Sequence, residues 1–130
     1  MKIGELAKRA GCLVETIHYY ERAGLLAPPE RSANNYRSYE QAHADQLNFI
    51  RQCRALDMTL DEIRTLIDLR NNPDQNCIEV NDLLDRHIAG VKARIAALTA
   101  LEAQLSQLRS QCSATDATRS CAILNALGSS

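Results

Sequence analysis

What this chain lacks narrows its identity first. No apolar run approaches the ~20 residues of a membrane-spanning helix, and the start MKIGELAKRAG has no apolar signal core, so a cytoplasmic protein is expected. Cysteines in that compartment are kept reduced. The five cysteines are an odd count and include no C-x-x-C pair, which argues against both a disulfide framework and a zinc ribbon. An iron–sulfur cluster calls for four clustered cysteines, and the C-terminal segment has only two. Neither Cys12 with His18 nor Cys53 with His43 sits in a recognisable catalytic motif, so no enzymatic activity is expected. A strong positive charge is missing too, the formal net charge being -1. Residues 1–56 nevertheless hold eight basic side chains against six acidic ones. Phosphate contacts would therefore come from a few well-placed side chains, doubled if the chain dimerises.

What is present is a chain that should fold: 45% of its 130 residues are hydrophobic, enough for one compact domain plus an extension. Ile3, Leu6, Ala7 and Ala10 have the spacing of a short helix face, closed by Gly11. A second helix is expected from Val14 to Ala23, with Leu13, Ile17 and Tyr20 facing inward and Gly24 as its stop. Two short helices joined by a Gly-containing turn make a helix-turn-helix, whose second helix can enter the major groove of DNA. The stretch LLAPPERSANNYRSY predicts a turn at Asn34-Asn35 between two short strands, a basic wing.

Helical periodicity resumes from Glu40 to Ala55, where Leu47, Ile50 and Cys53 share a face; Cys53 reads as core, and Cys12 as structural. His43 carries no assigned role. A further helix begins at Thr59, which forms a capping box with Glu62 and is followed by Ile63, Leu66 and Ile67. NNPDQN, residues 71–76, is the clearest linker, and Asn76 with Glu79 offers a second capping pair that would place Cys77 in the first turn of a long helix. The layout is thus a DNA-binding domain with its linker at 1–75, a long helix at 76–111, and a loop with a short helical tail at 112–130.

Between Cys77 and Cys112 there is no proline. Leu84, Val91, Leu98 and Leu105 recur every seven residues, flanked by Ile88 and Ile95, then by Leu101 and Leu108, the pattern of a coiled-coil seam. Its expected partner is a second copy of the chain. At a helical rise the two cysteines stand roughly 50 Å apart, so one chain cannot bring both to a single ion. If two copies pair antiparallel, Cys77 of one arrives beside Cys112 and Cys121 of the other, which makes a three-thiolate pocket at each end of the dimer. His87, a lone histidine on the helix, reads as a solvated or capping group.

With these parts placed, the chain resembles the MerR family of metal-responsive transcription regulators, in particular its cadmium- and lead-sensing branch. The matching stretches are IGELAKRAG, VETIHYYERAGLL, NNYRSY, FIRQCRALDMTLDEIRTLI and the spacing of eight residues between Cys112 and Cys121. The resemblance implies a mainly α fold: a winged helix-turn-helix domain, an antiparallel coiled-coil dimerisation helix, and a C-terminal metal-binding loop completed by the partner subunit. It implies a homodimer on promoter DNA that distorts an overlong spacer when metal binds, letting RNA polymerase engage both promoter elements of heavy-metal resistance genes. Carried over onto this chain, the DNA contacts are Thr16, His18 and Tyr19 on the second helix, Arg31, Tyr36 and Arg37 in the wing, and Arg54. One departure stands out, because the family usually has Arg where this chain has His18.

The donor set bears on the metal. Three thiolates carry a formal charge of -3 and select soft or borderline ions, while a monovalent copper site would need only two. The family's copper sensors lack a cysteine at the position of Cys77. Zinc prefers four N or S ligands. The zinc branch adds an adjacent cysteine and a loop histidine, whereas here Ser113 follows Cys112 and the loop to Cys121 contains no histidine. Pb(II) and Cd(II) are therefore expected first, then Hg(II), then Zn(II), with Cys77, Cys112 and Cys121 as ligands. A redox-sensing regulator is the more distant alternative.

Overall fold

The computed structural model describes residues 1–31, 37–74, 76–112 and 117–129, with only the backbone of Arg37. The chain divides into two compact units, Met1–Leu83 and Leu84–Ser130. In the first, α1 (Ile3–Ala10) and α2 (Val14–Arg22) are followed by a two-stranded ribbon of β1 (Glu30–Arg31) and β2 (Arg37–Ser38), then α3 (Gln41–Ala55) and α4 (Leu60–Arg70). The strands pair antiparallel with Glu30 opposite Ser38 and Arg31 opposite Arg37. The expected turn at Asn34-Asn35, and Tyr36 with it, lies outside the described residues.

Local chemistry accounts for the element ends. Gly11 closes α1 with φ +66°, a left-handed conformation that costs other residues about 1 kcal/mol or more, and a Cβ there would meet Arg51 Nη1 at 2.7 Å. At α3, the Glu40 N–H donates to His43 Nδ1 at 3.0 Å, which gives His43 a capping role. Thr59 and Glu62 form the expected capping box: Glu62 N–H donates to Thr59 Oγ1 at 3.1 Å and Thr59 N–H to Glu62 Oε1 at 2.9 Å. Such a cap is worth on the order of 1 kcal/mol.

The buried side chains form two clusters. One gathers Leu6, Ala10, Ile17, Leu26, Tyr39 and Leu47, and the other Leu25, Ile50, Cys53, Met58, Ile63 and Ile67, with Tyr20 packed against both. Cys53 is core as expected, and Cys12 packs half-buried against the first cluster. One expectation is overturned. Leu13 is not inward but 70% exposed, because it is the extended N-cap of α2 and so falls outside the helical period that buries Ile17.

The long helix α5 runs unbroken from Ile78 to Ser110, 33 residues. It starts one residue later than the capping pair predicted. Asn76 Oδ1 accepts from the Ile78 N–H at 3.0 Å and the Cys77 carbonyl from the Asn81 N–H at 2.9 Å, so Cys77 precedes the first turn and does not belong to it. In the second unit α5 ends at Ser110, and after a 3-10 turn at Thr118–Ser120 comes α6 (Ala122–Gly128). The seam residues Leu84, Ile88, Ile95, Leu98, Leu101 and Leu105 are all exposed in the single chain. No described helix is long and apolar enough to cross a membrane.

Candidate functional site

Three of the expected DNA contacts, Thr16, His18 and Tyr19, lie on α2. Ile17 is fully buried and fixes the helix by one side, which turns its neighbours His18 and Tyr19 outward and leaves Thr16 half-buried. Tyr19 is exposed and its ring lies 5.5 Å from that of Tyr20, which packs inward, so the two adjacent tyrosines divide as helical geometry requires. His18 Nδ1 lies 3.9 Å from Glu21 Oε1, and the same carboxylate oxygen accepts from the Tyr39 hydroxyl at 2.5 Å. Tyr39 is anchored in turn, exchanging backbone hydrogen bonds with Met1 at 2.6 and 2.7 Å.

The other predicted contacts are dispersed over the first unit. Arg31 is exposed on β1, in register with the backbone of Arg37 on β2. Arg54 is exposed on α3, but its Nη1 donates to the Met58 carbonyl at 2.9 Å and so ties the α3–α4 turn, where Asp57 has φ 63°. That structural task was not foreseen, and it leaves the remaining guanidinium donors able to reach outward. Arg64, also missed, donates to the Ala23 carbonyl at the end of α2. No local sequence signal links residues so far apart. Glu21 was missed although its signal was present, an acid three residues beyond His18 on the same helix face.

The thiol site is built in the second unit around Cys112 and Cys121. Arg109 Nη1 donates to the Cys112 carbonyl at 2.6 Å and fixes the chain as it leaves α5. Cys121 caps α6, its carbonyl accepting from the Asn125 N–H at 3.1 Å. The backbone N–H of Leu124 is the main influence holding the Cys121 thiol below its usual range; burial opposes it, and the Ile123 N–H and the Cys112 thiol assist. The Cys112 side chain is thus near enough to Cys121 to help stabilise its charged form. By contrast, burial pushes Cys53 up, and burial pushes Cys12 up against the opposing charge of Arg51.

Cys77 belongs to the first unit and is exposed. It lines a cavity of about 300 Å³ with Phe49, Leu66, Leu69, Pro73 and Val80, where the Arg70 guanidinium lies 4.7 Å over the Phe49 ring. Among the described residues, a single chain gathers no group of three or more His, Cys, Asp or Glu side chains able to hold a metal ion. The chemistry of the pair that does converge, two soft sulfur donors with the Cys121 thiol shifted downward, fits a soft metal.

A MerR helix-turn-helix regulatory protein model matches residues 1–69, and a MerR DNA-binding model matches residues 44–108. The chain belongs to the MerR family of helix-turn-helix transcription regulators. It is a DNA-binding regulator and not an enzyme. It is 47% identical over 116 residues to the transcriptional regulator ZntR homolog of Haemophilus influenzae, covering 89% of this chain and 86% of the relative. With the mercuric resistance operon regulatory protein of Bacillus cereus it shares 35% identity, covering 97% of this chain and 96% of that one. Among solved structures, it is similar to the regulator PbrR691 of Ralstonia metallidurans CH34 in complex with lead(II), with a TM-score of 0.91 and 52% identity over 98% of each chain. It is also similar to MerR of Bacillus megaterium MB1 in complex with mercury(II), with a TM-score of 0.77, 32% identity, and 98% and 99% coverage.

Proposed function

We propose that this metal-responsive MerR regulator binds promoter DNA as a homodimer and activates heavy-metal resistance genes when Pb(II) or Cd(II) occupies a site made by Cys112 and Cys121 of one subunit with Cys77 of the other. The reading rests on two soft sulfur donors brought near one another beyond the end of α5, Cys112 and Cys121, with the Cys121 thiol held below its usual range. The third donor lies beyond a 33-residue helix that would rise about 50 Å, which supports recruiting it from a partner. The exposed apolar seam of α5 supports the pairing, since burying each large side chain is worth about 1.5–3 kcal/mol.

On this reading Thr16, His18, Tyr19, Arg31, Tyr36, Arg37 and Arg54 contact the promoter, and RNA polymerase is engaged through the DNA the dimer distorts. The domain assignment is likewise 1–75 for DNA binding, 76–111 for dimerisation and 112–130 for the metal loop. The ranking of metals rests on the sulfur-only donor set, and the likeness to a lead(II)-bound regulator at 52% identity supports it. Hg(II) and Zn(II) are the alternatives, because relatives include a mercury(II)-bound regulator and a ZntR homolog. The test is a competition titration of the purified dimer with the four ions, read by thiolate charge-transfer absorbance and by promoter transcription in the same samples. Tightest binding and strongest activation by lead or cadmium is the expected result, and preference for zinc would overturn the ranking.

A further inference from the structure

The apolar stripe of α5 has a symmetry that a seven-residue repeat does not require. Leu84, Ile88 and Val91 are spaced by four residues and then three, whereas Leu98, Leu101 and Leu105 are spaced by three and then four. The order is the same read from either end, about a midpoint between Arg94 and Ile95. All six residues lie in one unbroken helix and one compact unit, and all but Val91 are exposed in the single chain. A charged residue directly follows the stripe at four places: Asp85 after Leu84, Lys92 after Val91, Glu102 after Leu101 and Arg109 after Leu108. All four are exposed, and among the described residues none forms an ion pair within its own chain.

We infer that α5 docks on α5 of a second copy in one antiparallel register, with the two-fold axis between Arg94 and Ile95 and with intersubunit ion pairs Asp85–Arg109 and Lys92–Glu102. The inference rests on the homodimer proposed above and fixes its interface. An antiparallel pair sets the first half of each stripe against the second half of the other, so only a stripe symmetric about the axis buries apolar against apolar throughout. About this axis Leu84 meets Leu105 of the partner subunit, Ile88 meets the partner's Leu101, and Val91 meets the partner's Leu98. The same axis sets Cys77 level with Cys112 of the partner subunit, although neither cysteine entered the apolar spacing.

The charges agree with this register. Side chains on a helix lean toward its N-terminus, so in an antiparallel pair the leans oppose each other. Asp85 leans toward Arg109 of the partner subunit, about 7–8 Å further along the axis, and Arg109 leans back. Lys92 and the partner's Glu102 stand at the same offset. Arg109 Nη1 also holds the Cys112 carbonyl at 2.6 Å, so the first pair ties the start of the thiol loop to the other subunit. One rival register uses the same stripe: an axis at Leu98 sets Ile88 against Leu108, Val91 against Leu105 and Ile95 against Leu101. It slides the helices by seven residues, about 10 Å, which carries Cys77 past Cys112 and leans Lys92 toward Arg109, a like charge.

A cysteine placed near a two-fold axis cross-links to its own copy, and this separates the registers. Ile95→Cys and Leu98→Cys are made separately in the full chain, treated with a thiol-specific oxidant, and the linked peptides identified by mass spectrometry. Ile95→Cys should form the self-disulfide at least about tenfold faster than Leu98→Cys. The reverse order, or equal rates as a parallel pairing would give, overturns the inference while the homodimer stands. The exposed charges give a second reading without touching the stripe. Lys92→Glu and Glu102→Lys should each weaken the dimer several-fold in concentration-dependent urea unfolding, and the double variant should restore it; a double variant as weak as the singles overturns the ion pairs. A wild-type chain that sediments as a monomer removes this inference together with the proposed homodimer.

Discussion

Arg64 Nη2 donates to the backbone carbonyl of Ala23 at 2.6 Å, joining α4 to the end of α2 across 41 positions of sequence. Carbonyls in the last turn of a helix have no partner within the helix, and this guanidinium supplies one with a full positive charge. The other arm of Arg64 meets the exposed Asp61 at 2.7 Å. Helix α2 is therefore held at its C-terminus by a helix that itself packs in the second core cluster through Ile63 and Ile67.

Arg64→Ala should destabilise the protein by about 1.5–3 kcal/mol, the range for a charge-assisted hydrogen bond whose removal leaves the acceptor unpaired. Asp61→Ala should cost less than about 1 kcal/mol, because that pair is exposed. Urea unfolding of both variants makes the comparison, and equal losses would contradict the assignment.

The Cys121 thiol should react as a thiolate at lower pH than an ordinary cysteine. The Leu124 N–H, with the Ile123 N–H and the Cys112 thiol, stabilises its charged form, so at a given pH below its normal titration range more thiolate is present. Alkylation of reduced, metal-free protein, resolved by mass spectrometry, should give a Cys121 pH–rate midpoint below that of a free cysteine derivative. Cys53 and Cys12, both shifted upward, should have midpoints above it. A Cys121 midpoint at or above the free thiol would remove the thiolate from the account.

Cys112→Ser or Cys121→Ser should abolish metal-induced transcription while leaving operator affinity within about tenfold, ~1.4 kcal/mol. Both residues belong to the second unit, whereas α2 and the ribbon belong to the first. Gel-shift and in vitro transcription assays on the same preparations check this, and a variant that still activates on metal would discard the ligand.

Arg37→Ala should weaken binding to all DNA sequences alike and flatten the dependence of log affinity on log salt by about one unit, as expected for a lost phosphate contact. The position opposes Arg31 on the ribbon, and the expected contact is with the backbone of DNA. Affinities at four or more salt concentrations decide it; an unchanged slope would exclude the contact.

What could be read from sequence was what depends on neighbours a turn or less away. The α1 face of Ile3, Leu6, Ala7 and Ala10, the Thr59–Glu62 box and the two short strands are all local patterns, and each element stands where its pattern put it. The errors lie where a residue's position relative to a helix end decides its fate. Leu13 matched the α2 period but sits outside the helix, and Cys77 precedes α5 because the Asn76 side chain takes the Ile78 N–H. Illegible altogether were the long-range hydrogen bonds, Arg64 to Ala23 and Tyr39 to Glu21, since partners 41 and 18 positions apart leave no periodic trace. The candidate thiol ligands were named from three residues and a spacing, but the contribution of the Leu124 and Ile123 N–H groups to Cys121 depends on where α6 begins.

The central claim is that each metal pocket draws on two subunits, and a mixed dimer tests it most directly. One chain carries Cys77→Ser and the other both Cys112→Ser and Cys121→Ser. In an antiparallel pairing, the mixed dimer has one pocket with all three thiols and one with none, whereas each parent homodimer has two damaged pockets. Equilibrium titration with Pb(II) and Cd(II), with stoichiometry from absorbance and calorimetry, should give one tightly bound ion per mixed dimer and no full-affinity site in either parent. A mixed dimer with no high-affinity ion would contradict the shared pocket.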